Sequence, residues 1–262
     1  MKKILLGLAL IASGFAVNAQ SFNVGLGGGI FSTWLVNKNV SDRGDDLDFA
    51  ATFGGQIGLN TAFYFNEKMG VGFGLLYTGH NQKYTGAYYV GNTLIESYEG
   101  REKLRYLDIP LLIRFGGGGH GGAYFEMGPQ FGILMGAKEN VTTTPASTGD
   151  YENKDVKTSF NGLNIAALLG FGVDIEAGES VIVTTGLRLG YGTDMTKKYT
   201  EDQIDAVADA DQLSIATAYA HLDSKDNFHY RSTNRAFGGL YIAVSYKIPT
   251  GGSKGTPVPT TK

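Results

Sequence analysis

The sequence predicts an all-β chain: an eight-stranded antiparallel transmembrane β-barrel with long external loops. Three observations carry this. Apolar residues alternate with small or polar ones along most of the chain after residue 20, as in Phe53, Ile57, Leu59, Phe63 and Phe65 against Thr52, Gly54, Gln56, Gly58, Asn60 and Ala62. Side chains on a strand alternate between faces, so one face is oily and the other small and polar. The connections between such segments are short and long by turns, and closed membrane barrels have short turns at one end and long loops at the other. No apolar run of about 18 residues follows residue 19, so no transmembrane helix is expected.

Residues 1–19 read as a secretory signal peptide. Lys2 and Lys3 give the positive start, Ile4 to Ala12 a short apolar core, and Val17 and Ala19 the small residues before a cut at Gln20. Residues 20–248 form the predicted outer-membrane barrel domain, and 249–262 a flexible periplasmic tail rich in Gly, Pro, Ser and Thr. With no cysteine, disulfides, thiolate chemistry and a lipoprotein anchor are not expected. The 39 glycines with 15 Phe and 15 Tyr suit β-structure rather than disorder. A net charge of -3 gives no reason to expect a nucleic-acid partner.

The strands follow in order, each long enough to span when tilted. The first, 22–34, turns Val24, Leu26, Ile30 and Trp34 outward; the second is 51–65. The third, 69–78, turns Met69, Val71, Phe73, Leu75 and Tyr77 outward, with Gly70, Gly72 and Gly74 inward. The fourth, 103–115, presents Leu107, Ile109, Leu111, Ile113 and Phe115, and the fifth, 123–136, Phe125, Met127, Phe131, Ile133 and Met135. The sixth, 161–175, presents Leu163, Ile165, Ala167, Leu169, Phe171 and Val173. The seventh, 180–192, presents Val181, Val183, Leu187, Leu189 and Tyr191, and the eighth, 236–248, Leu240, Ile242, Val244 and Tyr246.

Residues 66–68, 116–122 and 177–179 are the short turns; 36–50, 79–102, 137–160 and 193–235 are the long loops. An even strand count with long loops outside puts both mature termini in the periplasm. Outward aromatics fall into two girdles, with Phe22, Phe65, Phe115, Phe125 and Tyr246 at the short turns and Trp34, Phe53, Tyr77 and Tyr191 at the long loops. Pro110 and Pro129, in adjacent strands, predict a local bulge, since proline removes a ladder hydrogen bond.

The segment Tyr106-Leu107-Asp108-Ile109-Pro110-Leu111 resembles the hallmark strand of the PorT-like outer-membrane barrels of Bacteroidota, an OmpA-type small barrel family. Gly128-Pro129 resembles that family's Gly-Pro strand, and Gly170-Phe171-Gly172-Val173-Asp174 its sixth strand. The resemblance covers roughly Gln20 to Ile248. It implies a barrel and, in some members, a part in protein secretion or gliding; it implies no activity.

By parity, Arg114, Glu126, Asp174, Arg188 and Lys247 face the lumen, with Asp108 and Glu176 as further candidates. Eight strands leave room only for side chains, and buried charge must pair. A structural salt-bridge plug is the favoured reading; a gated conduit or proton path through the same groups, and paired-carboxylate catalysis, are the alternatives. The inward glycines Gly25, Gly27, Gly29, Gly70, Gly72 and Gly74 are expected to relieve crowding in a narrow barrel, with a small internal cavity as the alternative.

His80, His120, His221 and His229 have no metal-ligand spacing and are expected at the surface. In loop 193–235, Glu201, Asp202, Asp205, Asp209 and Asp211 read as a solvated acidic face without EF-hand spacing. Ile204, Val207 and Ala208 suggest a short helix over the mouth. Arg43-Gly44-Asp45 matches an adhesion tripeptide that three residues produce often by chance. Asn39 and Asn140 fit the glycosylation pattern, to which no meaning is assigned.

The expected function is a non-enzymatic outer-membrane protein, structural or binding through loops 193–235 and 137–160. A narrow channel and a lipid-editing enzyme using an external histidine are the alternatives. No catalytic, metal or cofactor site is expected. The expected partners are outer-membrane lipid and, through external loops, envelope or secretion-machinery proteins. Deleting 200–230 is expected to leave folding intact.

Overall fold

The computed structural model describes residues 21–66, 68–117, 121–209 and 212–249. The signal peptide, residues 250–262 of the tail and His120 lie outside the described residues. Ten strands appear in order: β1 Ser21–Asn37, β2 Asp48–Ala50, β3 Phe53–Asn66, β4 Met69–Val90, β5 Thr93–Gly116, β6 Gly122–Thr144, β7 Tyr151–Asp155, β8 Leu163–Glu176, β9 Val181–Asp194 and β10 Thr233–Pro249. Three α-helices lie in the long connections: α1 Lys38–Ser41, α2 Glu201–Asp209 and α3 Ile215–His221. All pairings are antiparallel, and eight strands close a ring in the order β4, β3, β1, β10, β9, β8, β6, β5 and back to β4. β2 and β7 lie outside the ring, paired to β4 and β6.

The period-two pattern closes the ring with its oily face outward. Leu26, Ile30, Phe53, Ile57 and Leu240 are each 61–67% exposed, while Phe31, Leu168 and Ala243 are buried inside. An apolar outer face over a lumen filled by side chains suits a hydrocarbon surround. At the short-turn end Phe22 stacks on Phe63 with centroids 4.4 Å apart, and Phe115 lies 6.4 Å from Phe125. Phe53, Tyr77 and Tyr191 are exposed at the other end. The two aromatic girdles are therefore present.

The inward glycines accommodate neighbours rather than a cavity. A Cβ on Gly27 would lie 2.3 Å from the Tyr241 hydroxyl, one on Gly70 2.8 Å from the Tyr64 ring, and one on Gly74 3.1 Å from Pro110. Large side chains occupy the space these glycines leave.

Three expectations need correction. Residues 79–102 are not a loop: β4 and β5 continue as a hairpin to a two-residue turn at Gly91-Asn92. Gly91 takes φ +61° at the first turn position, where a tight hairpin turn favours glycine. Likewise β6 runs on to Thr144, into the predicted loop 137–160. The bulge is not at Pro110 and Pro129, where the β5–β6 register is the same on both sides (Pro110 with Gln130, Ile113 with Met127). It lies between Arg105 and Tyr106, where the extra residue is on β6. There Leu134 and Ala137 both turn inward.

Candidate functional site

The lumen is built in storeys, and the lowest holds the predicted charges. Arg114 on β5 stands opposite Glu126 on β6; Glu126 stands opposite Gly170 on β8, and Gly170 opposite Arg188 on β9. The missing side chain at Gly170 lets Glu126 lean across, since a Cβ there would meet Glu126 Cγ at 2.7 Å. Arg188 Nε then donates to Glu126 Oε1 at 2.8 Å. Arg114 Nη2 donates to Asp174 Oδ1 at 2.8 Å, and Thr184 Oγ1 donates to the same oxygen at 2.6 Å. The guanidinium of Arg188 lies 3.4 Å over the Tyr241 ring and that of Arg114 3.8 Å over Tyr124. The four charged residues are 2–4% exposed. Burial of this depth requires such pairing, because an uncompensated buried charge is costly. Lys247 and Glu176 do not join them: Lys247 is half-buried at the short-turn rim in register with Asn23, and Glu176 is exposed at the end of β8.

Above this storey Phe31, Leu112, Ala166, Leu168 and Phe237 form an apolar layer. A second charged group follows, which parity alone does not assemble. Arg235 Nη1 donates to His80 Nε2 at 2.9 Å and to Asp108 Oδ1 at 3.2 Å. All three are buried, with the Tyr106 ring 5.8 Å from that of His80. His80 is thus a lumen residue and not a surface one, because β4 continues where a loop is expected. Arg235 falls within the predicted last loop, yet it is the second inward residue of β10, after Thr233.

The other motif residues sort by face. Leu107 and Ile109 point outward, while Tyr106, Asp108 and Pro110 point in. Gly128 has no space for a side chain, since a Cβ would lie 2.2 Å from the Leu111 carbonyl oxygen. Pro129 is exposed on the outer wall.

The mouth at the long-loop end is closed by a cap. Leu35, Val40, Leu47, Tyr84, Leu104, Leu134, Val156, Phe160, Met195 and Ala216 pack into one buried cluster. α3 is pinned to it. Ile215 N–H donates to Glu139 Oε2 at 2.7 Å and Ala216 N–H to Glu102 Oε1 at 2.8 Å, both carboxylates being fully buried. Burial, and after it the neighbouring Glu139, holds the Glu102 carboxyl well above the usual carboxylate range. Asn39 Nδ2 donates to the carbonyls of Tyr219, Ala220 and His229, so this buried asparagine ties the first loop to the last.

His221, also buried, accepts from Tyr199 N–H through Nε2 at 2.9 Å and faces the Thr217 carbonyl through Nδ1 at 2.8 Å. Rings of Tyr199, Phe228 and Tyr230 surround it, and burial lowers its imidazole below the ordinary value. It is therefore interior to the cap, whereas His229 is exposed. Arg43 of the adhesion-like tripeptide is a clamp: it donates to the Asp223 carbonyl and, at 2.7 Å, to Asp226 Oδ1, over the Tyr219 ring. The predicted helix exists as α2, with Glu201, Asp202 and Asp205 exposed, but α3, which the sequence does not announce, seals the mouth. With α3 so anchored, removing 200–230 would strip the α3 N–H partners of Glu102 and Glu139 and the carbonyls that the Asn39 amide holds, so the expectation that folding survives that deletion does not fit. Among the described residues no group of three or more His, Cys, Asp or Glu could hold a metal.

Among solved structures, the chain is similar to the outer membrane protein OprG of Pseudomonas aeruginosa, at 12% identity and a TM-score of 0.34, covering 89% of this chain and 98% of that one. It is similar to the Neisserial surface protein A, at 12% identity and a TM-score of 0.36 over 87% and 97%. A third is the outer membrane protein AlkL in lipid bilayers, at 11% and 0.38 over 90% and 93%. No curated protein matches the chain. The family model for the outer membrane protein beta-barrel domain matches residues 18–192, which span β1 and nearly all of the ring as far as β9. With two-thirds of its length under that model and eight strands closed with their oily faces outward, the chain belongs to the outer membrane protein beta-barrel domain family.

Proposed function

We propose that the protein is a non-enzymatic outer-membrane barrel that serves as a structural or loop-mediated binding component of the envelope. Its termini lie in the periplasm and its cap outside. The supporting observation is the contrast between the two parts of the molecule. The lumen is filled by two buried charged groups, an apolar layer and a helical cap. The exposed elaboration is concentrated at the long-loop end, where the β4–β5 hairpin carries exposed Tyr88, Tyr89, Val90, Leu94 and Ile95 at its tip. Exposed apolar residues grouped together mark contact surfaces. A filled lumen argues against a conduit. The resemblance to PorT-like barrels suggests that the contact is accessory to protein secretion.

The test has two arms. Purified protein in planar bilayers is expected to give no conductance steps, and a photo-crosslinking residue at Tyr89 in native membranes is expected to trap one discrete protein adduct. Steady conductance without an adduct would overturn the reading.

A further inference from the structure

The outer wall changes character at one row of the β4–β5 ladder. Below it the facing outward pair is Tyr77 and Leu107, still in the apolar band. Above it the outward pairs are Gly79 with Arg105, Asn81 with Lys103, and Lys83 with Arg101. Four cations thus occupy three successive rows on one face, and Lys138 of β6 continues the Lys103 row. The acids lie to one side or higher. Glu99 and Asp48 both sit in the Thr85 row, and Asp155 stands opposite Lys138. Glu99 pairs with Lys83, and at 2.9 Å with Arg101, which leaves Lys103 and Arg105 nearest the apolar band and furthest from Glu99 and Asp48, with Lys138 between Lys103 and Asp155.

Two grooves meet at Arg105. The upper, about 370 Å³, is lined by Ala51, Thr52, Phe53, Asn81 and the four cations Lys83, Arg101, Lys103 and Arg105, with no acid. The lower, also about 370 Å³, shares Phe53, Asn81 and Arg105 and runs down the lipid-facing wall past Ile57 and Tyr77. It exists because Gly55 and Gly79 face each other on the outer wall, so that row has no side chains between Phe53 and the Ile57–Tyr77 pair. Arg105 lies across the same gap: a Cβ on Gly79 would come within 3.1 Å of its Nη1. That nitrogen donates to Asn81 Oδ1 and to the Leu104 carbonyl, each at 2.9 Å, which fixes the guanidinium at the junction.

A cationic groove continuous with an apolar one, at the level where hydrocarbon ends, matches an amphiphile with a phosphate at its polar end. Arginine and lysine recognise phosphate by charge-assisted hydrogen bonds, and these contacts strengthen where water is partly excluded. We infer that Arg105, Lys103, Lys83 and Arg101 bind the phosphate of an anionic membrane lipid whose acyl chain lies in the Gly55–Gly79 notch. The lower groove favours a lipid over a free anion, because inorganic phosphate would use only the upper one.

Native mass spectrometry of the detergent-purified protein tests this, with equal amounts of dioleoyl phosphatidic acid and dioleoyl phosphatidylcholine as probes. The protein is expected to retain one phosphatidic acid with at least tenfold preference. The double variant Arg105→Gln, Lys103→Gln should lose that preference at least tenfold, and Gly79→Val, which fills the notch and keeps all four charges, should weaken retention of phosphatidic acid. Lys68→Gln, at the opposite rim, should behave as the parent chain. Heat-modifiable gel mobility establishes that each variant is folded, and Lys103→Gln alone serves if the double variant is not. Equal retention of both lipids, or preference unchanged in the charge variants, would overturn the site. Displacement by equimolar inorganic phosphate, or indifference to Gly79→Val, would overturn the lipid as its ligand.

Discussion

Arg114 and Glu126 stand directly opposite one another across β5 and β6, yet their closest charged atoms are 4.0 Å apart, because each directs its short contact elsewhere. Arg114 reaches Asp174 and Glu126 reaches Arg188, both at 2.8 Å. The four residues therefore form an alternating chain of charge through the lumen, and its formal charges cancel. A chain of this kind is vulnerable at every link.

Glu126→Gln removes the acid that Arg188 holds and leaves a buried cation unpaired. We expect a loss of about 3–5 kcal/mol, with most of it recovered when Arg188→Met is added to Glu126→Met. Denaturant unfolding in detergent, followed through Trp34, the one tryptophan of the chain, measures both. Losses that simply add would show that the pair is not coupled.

Leu169 lies on the outer face of β8 at 44% exposure, with the buried Leu168 beside it facing inward. Leu169→Arg should cost about 2–4 kcal/mol if its side chain meets mid-bilayer lipid. The same substitution at Leu94, exposed at the tip of the β4–β5 hairpin beyond the apolar band, should cost little. Equal effects at the two positions would contradict the placement of the band.

A Cβ on Gly58 would lie 2.0 Å from the Leu75 carbonyl oxygen, so Gly58→Ala requires the β3 and β4 backbones to part. A cost of about 1–3 kcal/mol is expected, as for overpacking. Gly136, with nothing within 4 Å of its Cβ position, is the control and should change stability by less than about 1 kcal/mol when replaced by alanine.

The cap should be most stable at an intermediate pH. Glu102 binds its proton more tightly in the folded chain than the ordinary carboxyl does, whose value is 4.5. Its contribution is therefore complete below that value and lost as pH rises through the raised one. His221 behaves in the opposite sense: its imidazole is lowered from 6.5, so its contribution is complete above 6.5 and lost as pH falls through the lowered value. Protonated His221 would also turn a second donor toward Tyr199 N–H. Hydrogen exchange over 195–232 should show protection falling at both limbs. Glu102→Gln should flatten the alkaline limb, since each tenfold difference in proton affinity between the folded and unfolded chain is worth about 1.4 kcal/mol. Protection that rises steadily with pH in the parent chain would refute the assignment to Glu102.

The ring was legible because lipid and lumen impose opposite demands on alternate residues, and period two survives in plain sequence from Phe53 to Phe65 as it does from Leu163 to Val173. Arg114, Glu126, Asp174 and Arg188 could be placed in the lumen by the same counting. Their partners could not, since the pairing depends on strand register and on Gly170 opening a path between non-neighbouring strands. The β4–β5 extension was open to reading from its continued alternation and the Gly91-Asn92 turn, but polar residues at 79–87 looked like loop because that part of the outer wall has left the hydrocarbon.

What the amino-acid order determined by itself was the alternation, the eight strands of the ring and which face of each is apolar, all read from one strand against its surroundings. What only the tertiary structure decided was which distant groups meet: His80 with Asp108 and Arg235, Glu102 and Glu139 with the start of α3, and Arg105 with the notch at Gly55 and Gly79. Such contacts depend on ring closure and on chain returning over the mouth from far along the sequence, and neither leaves a periodic trace.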